Sequence, residues 1–119
     1  MNSTASDIVR LRHILEAIEE IETYLRDVAF DEFLNTRMMQ FACIKQLEII
    51  GEAANRLSNG LQKENSDVDW AEIIGMRNLL VHDYFGIDLQ IIWEIIHLDI
   101  PDFKDKIMRI LQQLESRES

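Results

Sequence analysis

Residues 31–60, DEFLNTRMMQFACIKQLEIIGEAANRLSNG, set Phe33, Leu34, Met38, Phe41, Ile44, Leu47, Ile50, Ala54 and Leu57 three or four positions apart. At 3.6 residues per turn that spacing makes one apolar stripe, so it predicts an amphipathic helix from Asp31 to Leu57. Ser58-Asn59-Gly60 supplies the stop signal. Upstream, Ser6 and Asp7 read as an N-cap and an acidic first turn, and Ile8, Leu11, Leu15, Ile18, Leu25 and Val28 predict a helix over 6–28. Downstream, residues 59–68 are polar and read as a loop. Trp70, Ile73, Ile74 and Leu80 then predict a third helix ending near Gly86. Asp88 caps a fourth through Leu89, Ile92, Trp93 and Ile96, and Pro101 either kinks it or, the favoured reading, opens a fifth carrying Phe103, Ile107, Ile110 and Leu114. The expectation is one all-α domain spanning 1–119, an up-and-down bundle of four to five helices.

Composition agrees. In 119 residues, 47% are hydrophobic and only four are Gly and one Pro, enough aliphatic material for a core and too few turn formers for a sandwich or barrel. Ile91-Ile92-Trp93 with Ile95-Ile96 is apolar on more than one face, which in so short a chain points to a buried subunit interface and a homodimer. The single cysteine, Cys43, falls at a periodic apolar position and reads as core. No basic-then-apolar leader and no long apolar run is present, so the expectation is a cytoplasmic protein without membrane association.

Twelve Lys and Arg against 22 Asp and Glu give a formal charge of -10, the opposite of a general nucleic-acid binder, so any RNA contact has to be local. Glu16, Glu19, Glu20 and Glu22 cluster in the first helix, and Arg77 is the lone cation between residues 67 and 102. His13, His82 and His97 stand far apart and no Glu-x-x-His pair occurs, so neither a metal nor a cofactor is expected. His13 reads as a solvated residue on a polar face, and His97 as a helix-end residue.

One cluster combines Arg, His, an amide, a carboxylate and a phenol: Arg77-Asn78-Leu79-Leu80-Val81-His82-Asp83-Tyr84. On a regular helix Asn78 and His82 share a face, whereas Arg77 and His82 point about 140° apart, so one intact helix does not converge them. Either the helix unwinds before Gly86 or a second subunit contributes. A bland reading pairs Arg77 with Glu72 or Asp83 and leaves Tyr84 in the core. The chemical reading gives an imidazole that moves protons near neutral pH and a guanidinium that stabilises phosphoryl charge. Those are the parts of a metal-free ribonuclease, since RNA brings its own 2′-hydroxyl nucleophile.

Gly75-Met76-Arg77-Asn78 with His82-Asp83-Tyr84-Phe85-Gly86 resembles the signature of the HEPN superfamily in its HepT-like branch, including the Arg-x4-His-x-Tyr pattern. Gly51-Glu52-Ala53-Ala54, Trp70 with Glu72-Ile73-Ile74, and Trp93-Glu94-Ile95 extend the resemblance over nearly the whole chain. It implies a helical homodimer in which Arg77 and His82 of both subunits face a shared cleft. The implied role is the toxin of a toxin-antitoxin pair, an RNA endonuclease with Arg77, His82 and Asn78 as site residues. Its implied partner is an MntA-like nucleotidyltransferase antitoxin that transfers AMP to Tyr84. The alternative from a different class is a non-catalytic helical module that docks a nucleotidyltransferase.

Overall fold

The computed structural model describes residues 3–79 and 87–118, and every regular element among them is helical. Three long helices make the frame: α1 (Ser3–Tyr24), α3 (Arg37–Asn55) and α7 (Ile100–Glu118). Short helices join them: α2 (Phe30–Leu34), α4 (Asn59–Glu64), α5 (Trp70–Gly75) and α6 (Leu89–Glu94). The all-α expectation holds. α1 packs against both α3 and α7.

The core lies where the apolar stripes of these three helices meet. Leu11, Ile14 and Ile18 of α1, Ile44, Leu47 and Ile50 of α3, and Ile107 and Ile110 of α7 are essentially without solvent contact. Cys43 sits among them, and burial pushes its thiol up to about 12, so it stays protonated and serves as packing material.

Several boundaries differ from the sequence reading, each for a local reason. The first helix ends at Tyr24, and Asp27 follows in the left-handed region at φ 59°, a conformation that Asp tolerates. The predicted 31–57 helix is two helices: Asn35 and Thr36 turn their side chains onto the carbonyls of Asp31 and Glu32, which interrupts the ladder. Buried Gln40 then closes the gap by donating to the Phe33 carbonyl at 2.9 Å. The expected loop over 59–68 contains α4, because the Ser58 hydroxyl accepts from the Leu61 amide and Leu61 is buried.

Asp7 is not a first-turn acid. α1 has already begun at Ser3, and the buried Asp7 carboxylate accepts from the Ser58 amide at 2.8 Å and the Ser58 hydroxyl at 2.6 Å. It therefore fastens the start of α4 to α1, a contact made across 51 positions of sequence.

Pro101 stands in the first turn of α7, as a helix opener should, yet the chain does not break before it. A π-helical segment, Ile95–Asp99, leads from α6 straight into α7. Such a widened turn absorbs an irregularity in the hydrogen-bond ladder without ending the helix. His97 lies inside this segment rather than at a helix end: its Nδ1 lies 2.9 Å from the Trp93 carbonyl and its ring packs 4.0 Å from Trp93. Trp93 in turn packs on Phe30 and Phe33 at 5.4 and 5.3 Å, tying α6 to α2.

Candidate functional site

Arg77 owes its position to the turn that carries it. The Asp69 side chain caps α5 by accepting from the Glu72 amide, and the Trp70 indole donates to the Asn65 carbonyl at 3.0 Å while packing edge-on against Phe103. Buried Ile73 and Met76 press this stretch onto the core. After Gly75 the helix tightens into a 3-10 turn, Met76–Asn78, with the Leu79 amide bonded to the Met76 carbonyl at 3.2 Å. At three residues per turn, successive side chains diverge by about 120°. Met76 goes inward, Arg77 is half-buried and Asn78 is exposed.

Gly51 permits that arrangement. A Cβ there would meet the Arg77 amide nitrogen at 2.6 Å and the Ile73 and Ile74 carbonyl oxygens at 3.0 and 3.1 Å. α3 and the Arg77 turn thus touch backbone to backbone, a closeness only glycine allows.

One residue along α3, Glu52 reaches the guanidinium. Its carboxylate lies 3.8 Å from Arg77 Nη1 and accepts from Arg56 Nε at 3.0 Å. All three side chains are partly solvated, so these pairs contribute about 0–1 kcal/mol each and act as orientation rather than as stability. Of the two acids the sequence offered Arg77, Glu72 is not its partner and Asp83 lies outside the described residues; among the described residues the paired acid, Glu52, comes from another helix. Glu72 faces a separate acidic cleft with Asp67, Asp69, Asp99 and Asp102. Loss of solvent there, and then the nearby charges of Asp99 and Asp69, hold its carboxyl above the usual range.

Arg77, Glu52 and Arg56 line a cleft of about 370 Å³ together with Arg10 and His13 of α1 and Lys45 and Glu48 of α3. Four cations thus face two carboxylates in a chain whose overall charge is -10. His13 is exposed, as the sequence reading had it, but it belongs to this cleft rather than to an indifferent surface. Arg10, Lys45 and Arg56 were not singled out from sequence. The signal was present as spacing, since Lys45, Glu48, Glu52 and Arg56 recur every three or four residues along the polar side of α3.

His82, Asp83 and Tyr84 lie outside the described residues, so of the sequence-predicted site only Arg77 and Asn78 are placed. Tyr24, the other tyrosine, has a structural setting: its hydroxyl accepts from Gln46 Nε2 at 3.2 Å. Among the described residues no group of three or more His, Cys, Asp or Glu could hold a metal ion, and no helix is long and apolar enough to cross a membrane.

An all-helical frame thus presents an arginine on a tight turn, inside a locally basic cleft of an acidic chain. The family profile "Ribonuclease HepT-like" matches residues 14–110, and the chain belongs to that family. A protein of Thermococcus cleftensis named "Probable ribonuclease HepT" is 40% identical over 100 residues, covering 84% of this chain and 91% of its own length. In Methanocaldococcus jannaschii, a protein named "Putative RNase" is 38% identical over 97 residues, 82% of this chain and 89% of its own. A longer protein of the same organism, named "Gamma-glutamylcyclotransferase and putative RNase", is 38% identical over 111 residues; the match covers 93% of this chain but 50% of that protein. No solved structure matches the chain.

Proposed function

We propose that this protein is the toxin of a toxin-antitoxin pair, a metal-independent endoribonuclease that cuts RNA by transesterification. The observation that carries the reading is Arg77 on its 3-10 turn, drawn into a basic cleft in a chain of the HepT-like family. In the reaction the 2′-oxygen attacks the adjacent phosphorus, the 5′-oxygen leaves, and a 2′,3′-cyclic phosphate remains. The proton lost by the 2′-hydroxyl and the proton gained by the 5′-oxygen pass through imidazole, the role assigned to His82. Arg77 stabilises the charge that builds on the phosphoryl oxygens, and Asn78 orients the reacting groups.

One chain carries one His82, whereas the reaction needs a base and an acid together. A homodimer supplies both and removes the need for one helix to converge Arg77 and His82. An apolar groove of about 580 Å³ supports this reading: Leu34, Phe41, Ile87 and Leu89 line it, and Ile87 adjoins the segment that carries the motif. Light scattering at micromolar concentration is expected to read the mass of two chains. A stable monomer of 14.0 kDa would remove the composite site.

The cognate partner in this reading is an MntA-like nucleotidyltransferase. The Tyr84 hydroxyl attacks the α-phosphorus of ATP, pyrophosphate leaves, and an adenylyl group is fixed two residues from His82. Bulk and negative charge then occupy the place the RNA phosphate must take. Intact-mass spectrometry after incubation with ATP and the partner is expected to show gains in whole adenylyl units. Tyr84→Phe should stay unmodified and toxic, while Tyr24→Phe should be modified like wild type. A Tyr84→Phe chain that is still modified and neutralised would overturn the switch.

A further inference from the structure

Of the twelve Lys and Arg residues, four line the single cleft that contains Arg77. What sets these four apart is that they are gathered in one cleft, since Arg26, Arg37 and Lys63 elsewhere are also outside the ion pairs of the described residues. Arg12, Lys104, Lys106, Arg109 and Arg117 are each engaged by a carboxylate, with Arg12 on Glu115, Lys104 on Glu22 and Arg109 on Asp67. Arg10 and Lys45 have no ion-pair partner among the described residues, although the chain carries ten more acids than bases. With four cations against Glu48 and Glu52, the cleft keeps a local positive field in a chain where acids are otherwise in surplus.

The geometry is that of a trough. Lys45, Glu48 and Glu52 of α3 and Arg56 at its C-cap lie along one side of the helix over eleven residue steps, a ridge of about 16 Å at 1.5 Å rise per residue. Arg10 and His13, three apart and so on one face of α1, form the facing wall, and Arg77 closes the cleft beside Glu52. The cleft is open, longer than one phosphate, and lined by Ile49 and Ala53 as well as by its charged groups. Glu52, gripping Arg56 and Arg77 at once, spaces the two guanidiniums, while Arg10 and Lys45 line the same cleft with Glu48 and without an ion pair among the described residues.

We propose that Arg10 and Lys45, with His13 between α1 and α3, form a phosphate-binding track that carries the backbone of single-stranded RNA along the cleft leading to Arg77. The inference rests on the ribonuclease reading for its substrate, and it adds residues on two other helices that hold that substrate away from the bond being cut. It also accounts for how an acidic protein takes up RNA: the strand is gripped through a strip of local positive charge while the remaining surface repels it. Arg10 and Lys45 are binding residues on this account, so their loss raises KM and leaves kcat near its wild-type value.

The test is the salt dependence of binding to a 2′-O-methyl RNA 12-mer, which has the phosphates of the substrate but no free 2′-hydroxyl to react. Each phosphate contact in a single-stranded complex contributes about 0.7 to the slope of log affinity against log salt, equivalent to roughly fivefold in affinity at 0.1 M salt. The Arg10→Ala/Lys45→Ala double variant is therefore expected to bind about 25-fold more weakly at 0.1 M salt, with a slope shallower by about 1.4. The control removes two cations elsewhere, Arg26→Ala/Lys63→Ala, which also lack an ion-pair partner among the described residues and do not line the cleft. It should stay within about twofold of wild type, because contacts rather than net charge set the slope. Equal losses in the two variants, or an unchanged slope in the Arg10/Lys45 variant, would overturn the track. Cleavage of unmodified RNA is scored separately: absence of cleavage with the expected slopes sinks the ribonuclease reading and leaves the track standing, and cleavage with unchanged slopes does the reverse.

Discussion

His82→Ala and Arg77→Ala are each expected to lower the rate of single-stranded RNA cleavage by about a hundredfold to ten-thousandfold, in buffer containing a chelator, with no change in helical content. The size follows from the chemistry. A positioned acid/base contributes about 10² to 10⁴ in rate, and a preorganised cation facing developing phosphoryl charge contributes on the order of 10² to 10³. Arg77 is half-buried and its one ionic contact within the described residues is the long pair with Glu52, so alanine there removes charge without opening a core cavity. Folding should therefore survive, which circular dichroism checks. The chelator matters because a mechanism that uses the RNA's own 2′-hydroxyl and imidazole needs no metal ion. Unchanged cleavage in either variant would point to a contaminating nuclease and favour the non-catalytic module that docks a nucleotidyltransferase.

Gly51→Ala should damage activity more than stability. Alanine is better than glycine in a helix by about 1 kcal/mol, which acts in the variant's favour. Against it, the added methyl would stand 2.6 Å from the Arg77 amide nitrogen and close to two carbonyl oxygens, all backbone atoms that cannot rotate aside. Overpacking of this kind costs about 1–3 kcal/mol, so the net loss of stability is roughly 0–2 kcal/mol. The relief comes from moving the 3-10 turn away from α3, and that turn carries Arg77. A displacement approaching 1 Å costs on the order of a hundredfold in a positioned reaction. Thermal unfolding and cleavage assays measured together check this, with Gly60→Ala as the comparison: a Cβ at Gly60 meets nothing within 4 Å, so that variant should cleave like wild type. Wild-type cleavage by Gly51→Ala would mean that the close approach does not set the position of Arg77.

The signal that predicted helices was the periodicity of apolar residues, and it succeeded wherever a stripe met a core: Leu47 and Ile50 on α3, Leu11 and Ile18 on α1, Ile107 and Ile110 on α7. It failed where polar side chains compete with the backbone. Nothing in the stripe from Phe33 to Leu57 announces that Asn35 and Thr36 break it, because their hydrogen bonds run to main-chain carbonyls four residues back and leave the apolar spacing intact. Ser58 was read as the end of one helix and is also the cap of the next.

The candidate site divides in the same way. Arg77 was legible because a lone cation in an acidic stretch, within a recognisable string of residues, draws attention on its own. Residue order also settled the all-helical class, the family signature and the burial of Cys43, since each depends on neighbours within a few turns of one helix. The partner of Arg77, the reason for Gly51 and the company of Arg10, His13, Lys45 and Arg56 were decided only when α1 and α3 packed side by side and the Met76–Asn78 turn settled against them. A charge on an exposed helix face is energetically almost indifferent to its own helix, so nothing local records which other helix it will meet.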